Sequence, residues 1–361
     1  MQFAVLFKQY RAPIICIVVI VVLQWLARYT GFVQGVYMPY VYVPVTTALH
    51  IILGWLPISV GDVCYCAVFF YVLYFLYKCF RYMYSNIITK QILLSILHNI
   101  ITLLLYGYTV FYLLWGITYT SKSIVLELKL PVAKYTTANV VSTLQAVAAK
   151  LNTYSLAIDK DNKQTLTTIT SDIKQGYAVI ANTYPQLAYT YKSIKPSFYS
   201  WAMNYAGFLG YYNPFTAEAQ VNTSIPNFLI PAIAAHEMAH QLGYAKEDEA
   251  NFVGYLAAKH GNVYSKYATY FDIFQYLITD LSYRDTAALK QVLLTIHPTV
   301  QYHLQVWKQY RLLHQGTLND AASWTYSQYL KLHNMPNGVD TYNEVIGILI
   351  AYTKVVGLQG L

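Results

Sequence analysis

Between residues 92 and 120 the chain carries no Lys, Arg, Asp or Glu. A helix needs about 20 apolar residues to cross a bilayer, and this run is longer. In hydrocarbon every backbone N–H and C=O has to be satisfied within the segment, so such a run must be helical. Residues 12–27 and 63–77 are uncharged as well, and Arg11, Arg28 and Lys78 at their ends can snorkel to headgroups. No small-x-small cleavage site follows residue 27 and more apolar segments come after it, so the first run reads as an anchor rather than a signal peptide. Only 11% of the residues are charged, against about 25% in soluble domains, which agrees with a membrane protein.

The segment 40–60 is uncharged and long enough to cross, but Pro44 and Pro57 interrupt it. Counting it gives four spans and omitting it gives three. Positive charge decides between them. With three spans, Lys8, Arg11, Lys78, Arg81 and Lys90 share the cytoplasmic side, against Arg28 outside. We therefore expect three transmembrane helices, at about 12–28, 62–79 and 93–118. Segment 40–60 should lie along the interface or dip in from outside, where Tyr40, Tyr42 and Trp55 are at home. Residues 1–120 form this membrane domain.

Beyond Ser121 charged residues return, and 121–361 is long enough for one domain with its own core, outside the cytoplasm. Its helical periodicity is clear at 136–157, 173–184, 267–281, 287–296 and 342–356. The exception is 215–221, a short, partly alternating stretch between Pro214 and Asn222 that reads as a strand. A strand edge can bind an extended substrate by β-augmentation, with Phe215, Glu218 and Asn222 marking the expected edge; a plain hairpin on the domain surface is the alternative. All four cysteines, Cys16, Cys64, Cys66 and Cys79, lie in or beside the membrane part, so no thiolate can hold a metal in the outer domain. The net charge of +8 is partly due to the cytoplasmic basic loops, and no basic helix with interleaved aromatics argues for nucleic acid. Neither a Gly-rich phosphate loop nor a Gly-x-Ser-x-Gly elbow is present.

The chemistry concentrates at His236-Glu237-Met238-Ala239-His240. Residues four apart share a helix face, so both imidazoles can reach one ion with Glu237 beside them. Neutral imidazole suits Zn²⁺, and an adjacent carboxylate can take a proton from a zinc-bound water. Pro231 should fall in the first turn of this helix and Gly243 at its end. A second helix then opens with Glu247-Asp248-Glu249, in whose first turn a carboxylate could supply the third ligand. Glu247 is favoured, because Asn251 lies one turn on and can brace the site, and Glu249 is the close competitor. Acidic residues also favour helix N-termini for the dipole alone, so both roles can be filled within the run.

The Glu247-x-x-x-Asn251 spacing resembles the Glu-x-x-x-Asp element of gluzincin metallopeptidases, with Asn in place of the Asp. His-Glu-x-x-His-x-x-Gly also resembles metzincins, but the third ligand would fall on Lys246. The closest resemblance is to an uncharacterised family of bacterial membrane proteins, predicted zinc metallopeptidases. It is carried by residues 56–62, 214–222, 236–252 and 329–342. The resemblance implies a zinc peptidase of the bacterial plasma (inner) membrane with the zinc ligands His236, His240 and a third carboxylate.

The reading is a mainly α chain: transmembrane helices, then a zincin-like, mostly helical α+β domain. Its expected function is zinc-dependent hydrolysis of peptide or envelope-protein substrates, with Glu237 activating the water. The alternative is a non-catalytic zinc-binding sensor or scaffold. An intramembrane protease fits less well, because Lys246 and the acidic run follow the motif at once. Tyr302, His303, His297 and Tyr342 are candidate oxyanion donors only by residue type.

Overall fold

The computed structural model describes residues 2–84, 89–158, 164–190, 194–333, 335 and 344–361. The chain is mainly helical, with one small sheet among the described residues. Among the described residues, three helices are long and apolar enough to cross a membrane: Thr30–Leu53, Val60–Tyr82 and Lys90–Leu114. Helix Gln2–Leu26 contains a shorter apolar stretch, Tyr10–Leu26, and packs against Lys90–Leu114. The pair runs parallel. The Tyr10 ring meets His98 at 5.1 Å, and Leu23 and Ala27 share a cluster with Tyr112 and Trp115.

Segment 40–60, expected at the interface, is helical through Leu53. Pro39 lies in a π-helical stretch, Val33–Tyr42, and Pro44 in the first turn of the α-helical part, Val43–Leu53, so neither proline ends the helix. Its buried face leans on the rest of the chain from end to end. Tyr37 donates to the Leu113 carbonyl (2.8 Å), Tyr42 to the His240 carbonyl (3.2 Å), and His50 Nε2 sits 2.7 Å from the Ala217 carbonyl. The opposite face is exposed and apolar at Val36, Tyr40, Ile51 and Ile52.

In the C-terminal part, helices Thr137–Ser155 and Val263–Arg284 pack together. The first starts at a capping box, Thr136 with Asn139, and the second is capped by Asn262, so their first N–H groups are satisfied. Buried behind them is the helix pair Ile230–Gln241 and Glu247–Ala258. Pro231 sits in the first turn of the former, as expected. The two helices approach closely because Gly254 has no side chain: a Cβ there would lie 2.9 Å from the His236 backbone nitrogen. Gly243 turns the chain between them at φ +96°, and a Cβ would also press on Met38 and Tyr42.

The sheet has three strands in the order β1–β3–β2. Strand β1 (Ile194–Pro196) is parallel to β3 (Glu218–Val221), and β2 (Gly210–Asn213) is antiparallel to it. This corrects the expected substrate edge. The stretch 215–221 is strand only from Glu218, and that strand is central, so its hydrogen bonds are taken on both sides. Glu218 and Asn222 are wholly buried; Phe215 lies in the preceding turn and is exposed. Asn222 binds Asn204 (2.8 Å) and the Phe208 carbonyl. Glu218 instead binds the connection that leads into helix Val60–Tyr84. It accepts from Lys195 (2.5 Å), Gly61 N (2.7 Å) and Val60 N (3.2 Å). Asp62 extends this clasp to the Phe198 amide (2.6 Å) and to the Tyr211 hydroxyl.

Candidate metal centre

Helical periodicity places His236 and His240 on one face, and their rings lie edge to face at 4.6 Å. The turn at Gly243 then brings the N-terminus of the next helix across that face. His236 Nε2 lies 3.2 Å and His240 Nε2 3.8 Å from Glu247 Oε2. All three donor atoms fall within 4.8 Å of one another. A tetrahedral ion with bonds of about 2.0 Å separates its ligands by about 3.3 Å, so the trio fits one ion with small adjustments.

The atoms turned away from this centre are also engaged. His236 Nδ1 meets Asn251 Oδ1 at 2.7 Å, and His240 Nδ1 meets the Tyr244 carbonyl at 2.7 Å. Each bond holds the ring with Nε2 toward Glu247, as an outer partner does for a ligating histidine. Asn251, one turn on from Glu247, thus lies against the His236 ring. Glu247 Oε1 accepts from the Tyr326 hydroxyl. Glu249, the competitor, is buried elsewhere and pairs with Lys246 at 3.3 Å, so residues two apart on the helix point to different neighbours.

Burial sets the charges. Burial alone would lower the His236 pKa, but the hydrogen bond and charge of Glu247 more than offset it and push it to about 9. Glu247 is held well below its ordinary range, because the two histidines outweigh its own desolvation. Burial and the neighbouring His236 push His240 down to about 4. Burial raises Glu237 to about 8, and its Oε2 is buried with no hydrogen-bond partner. An orphaned buried carboxylate oxygen is costly unless something fills the space beside it.

A cleft of about 730 Å³ opens over these residues. On one wall runs β2, an edge strand among the described residues, with Gly210 so near Glu237 that a Cβ would lie 2.5 Å from Oε1. The opposite wall is a polar stripe on helix Val263–Arg284: Asp272, Gln275, Tyr276 and Thr279. Their i, i+3, i+4, i+7 spacing is readable in the sequence, but the same spacing marks any helix face. Tyr326 and Tyr329 come from helix Thr317–Leu332 and Tyr119 from the turn after Leu114; among 38 tyrosines no local signal marks them. Of the candidate oxyanion donors, His303, His297 and Tyr302 do not reach the cleft. His303 is buried against the Tyr267 hydroxyl (2.7 Å), His297 caps its own helix, Tyr302 is exposed, and Tyr342 lies outside the described residues.

No curated protein and no solved structure matches the chain. One family model does, over residues 37–350, a range that holds two of the three long apolar helices entire, most of the third, and every donor of the centre. The chain therefore belongs to the family described as proteins of unknown function, DUF3810.

Proposed function

We propose that the chain is a membrane-anchored, zinc-dependent metallopeptidase. The observation that carries this is the convergence of His236 Nε2, His240 Nε2 and Glu247 Oε2, with the orphaned Glu237 carboxylate beside them and an edge strand along the cleft. A two-imidazole, one-carboxylate set is the donor chemistry of hydrolytic zinc sites, which keep a fourth position open. Bound there, zinc would supply the Lewis acidity that acidifies a water and polarises a carbonyl. Glu237 would accept the proton of that water and pass it to the leaving amine, the task of a carboxylate placed beside the metal ligands. The edge of β2 away from β3 would align an extended peptide across the site. The trio also serves a non-catalytic sensor or scaffold, but neither needs Glu237 where it stands.

Topology follows the same reading. Helices Gln2–Leu26 and Lys90–Leu114 are parallel, so the chain between them returns across the membrane an odd number of times. Thr30–Leu53 contacts the C-terminal part along its length, which leaves Val60–Tyr82 as the return. Lys78, Arg81 and Lys90 then face the cytoplasm and the metal centre faces outward, in the plasma (inner) membrane of a bacterium.

Full-length protein purified in detergent should carry about one zinc per chain. Cells with Glu237→Gln should keep the zinc and accumulate uncleaved envelope proteins. Metal-free wild-type protein, or identical envelope termini in both strains, refutes the peptidase.

A further inference from the structure

The cleft is built partly from the membrane helices. Tyr65, in the second turn of helix Val60–Tyr84, lines it on one side, and Phe111 and Trp115, at the end of helix Lys90–Leu114, line it on another. Both ends grip the edge strand. The Tyr65 ring lies 6.3 Å from Tyr211, and the Trp115 ring 4.5 Å from Tyr212 and 5.9 Å from His240. Gly210, two residues along from Tyr212, lies against Glu237. A strand rises about 3.4 Å per residue, so about 7 Å of β2 separates the level where the helices end from the carboxylate.

Helices Val60–Tyr84 and Lys90–Leu114 follow one another in sequence yet do not pack extensively on each other among the described residues. None of the apolar window of either is buried. The outer ends of both therefore reach the cleft, and each carries lipid-facing surface below it.

Resting on the peptidase reading above, we infer that the substrates are polypeptides anchored in the same membrane, cut within a few residues of where they leave the bilayer. The anchor enters between helices Val60–Tyr82 and Lys90–Leu114. The emerging segment pairs first beside Tyr212 and Tyr211, and the bond that reaches Glu237 is the one hydrolysed. Water adds across that C–N bond, which breaks: its oxygen goes to the acyl carbon as a carboxylate, and both its protons go to the nitrogen, which leaves as the new ammonium. A soluble peptidase would gain nothing from placing its metal one aromatic ring from the end of a membrane helix.

The test uses full-length protein in proteoliposomes. The probe is a peptide spanning a Glu237-dependent terminus mapped in envelope proteomes, fused to a single hydrophobic helix through Gly/Ser spacers of graded length. Cleavage should be fastest with spacers of about five residues or fewer, since that much extended chain covers the path along β2. It should fall at least tenfold by about thirty residues, beyond the loss that chain dilution alone produces. A profile flat in spacer length, or equal cleavage of the peptide without its helix, overturns the inference and leaves the peptidase standing. The absence of any Glu237-dependent terminus overturns both.

Discussion

Replacing Glu218 by Gln removes a charge from the point where the sheet meets the membrane helices. Glu218 is wholly buried, and its carboxylate accepts from Lys195 Nζ, Gly61 N, Val60 N, Thr216 Oγ1 and Ser59 Oγ. Each carboxylate oxygen faces an N–H donor, Lys195 Nζ and Val60 N on one and Gly61 N on the other, so either placement of the Gln NH₂ sets donor against donor and leaves both unsatisfied. Lys195, 3% exposed, loses its charged partner and is left with neutral acceptors such as the Leu53 carbonyl at 2.9 Å. Breaking a buried pair and stranding its partner costs about 3–5 kcal/mol. For a domain of this size each kcal/mol moves Tm by about 2–4 °C, so the loss should be on the order of 10 °C. Tryptophan fluorescence of the full chain in detergent, heated with and without chelator, reads it. The shift should be the same in both conditions, because the clasp lies outside the metal centre. Adding Lys195→Met removes the stranded cation and should recover part of the loss. A Tm within about 2 °C of wild type would mean that Glu218 is not the buried anchor described and would return it to a substrate-facing role.

Glu247→Gln should lose zinc by orders of magnitude while Glu249→Gln retains it, as measured by metal content after dialysis; the reverse would put Glu249 at the centre. Asn251→Ala, which frees the His236 ring, should weaken zinc about 10–100-fold in a chelator competition, and unchanged affinity would remove Asn251 from the site. Gly210→Ala should keep zinc but slow hydrolysis about 100-fold, since its Cβ displaces the Glu237 carboxylate by about 1 Å; full activity would show that the strand yields. In the metal-free chain His236 stays protonated up to about pH 9, so zinc must displace its proton below that pH. Apparent zinc affinity should therefore fall about tenfold per pH unit from pH 9 toward the ordinary histidine pKa, and a flat profile there would deny the His236–Glu247 pair.

Much of this protein is determined by its sequence alone. A run without charge from 92 to 120 has one physical outcome in a membrane, and residues four apart on a helix must share a face, so Lys90–Leu114 and the His236–His240 pair were legible. Local spacing also paired Glu247 with Asn251. What it could not decide is which of Glu247 and Glu249 meets the histidines. That depends on how two helices cross, and the crossing is set by Gly254 against the His236 backbone and by the turn at Gly243. The expected edge strand failed for a related reason. Alternation reports that a segment is extended but not what pairs on either side, and only the tertiary structure puts β1 and β2 on both flanks of β3. Tyr326, Asp272 and Trp115 reach the cleft from helices far apart in sequence, and contacts between elements leave no period within any of them.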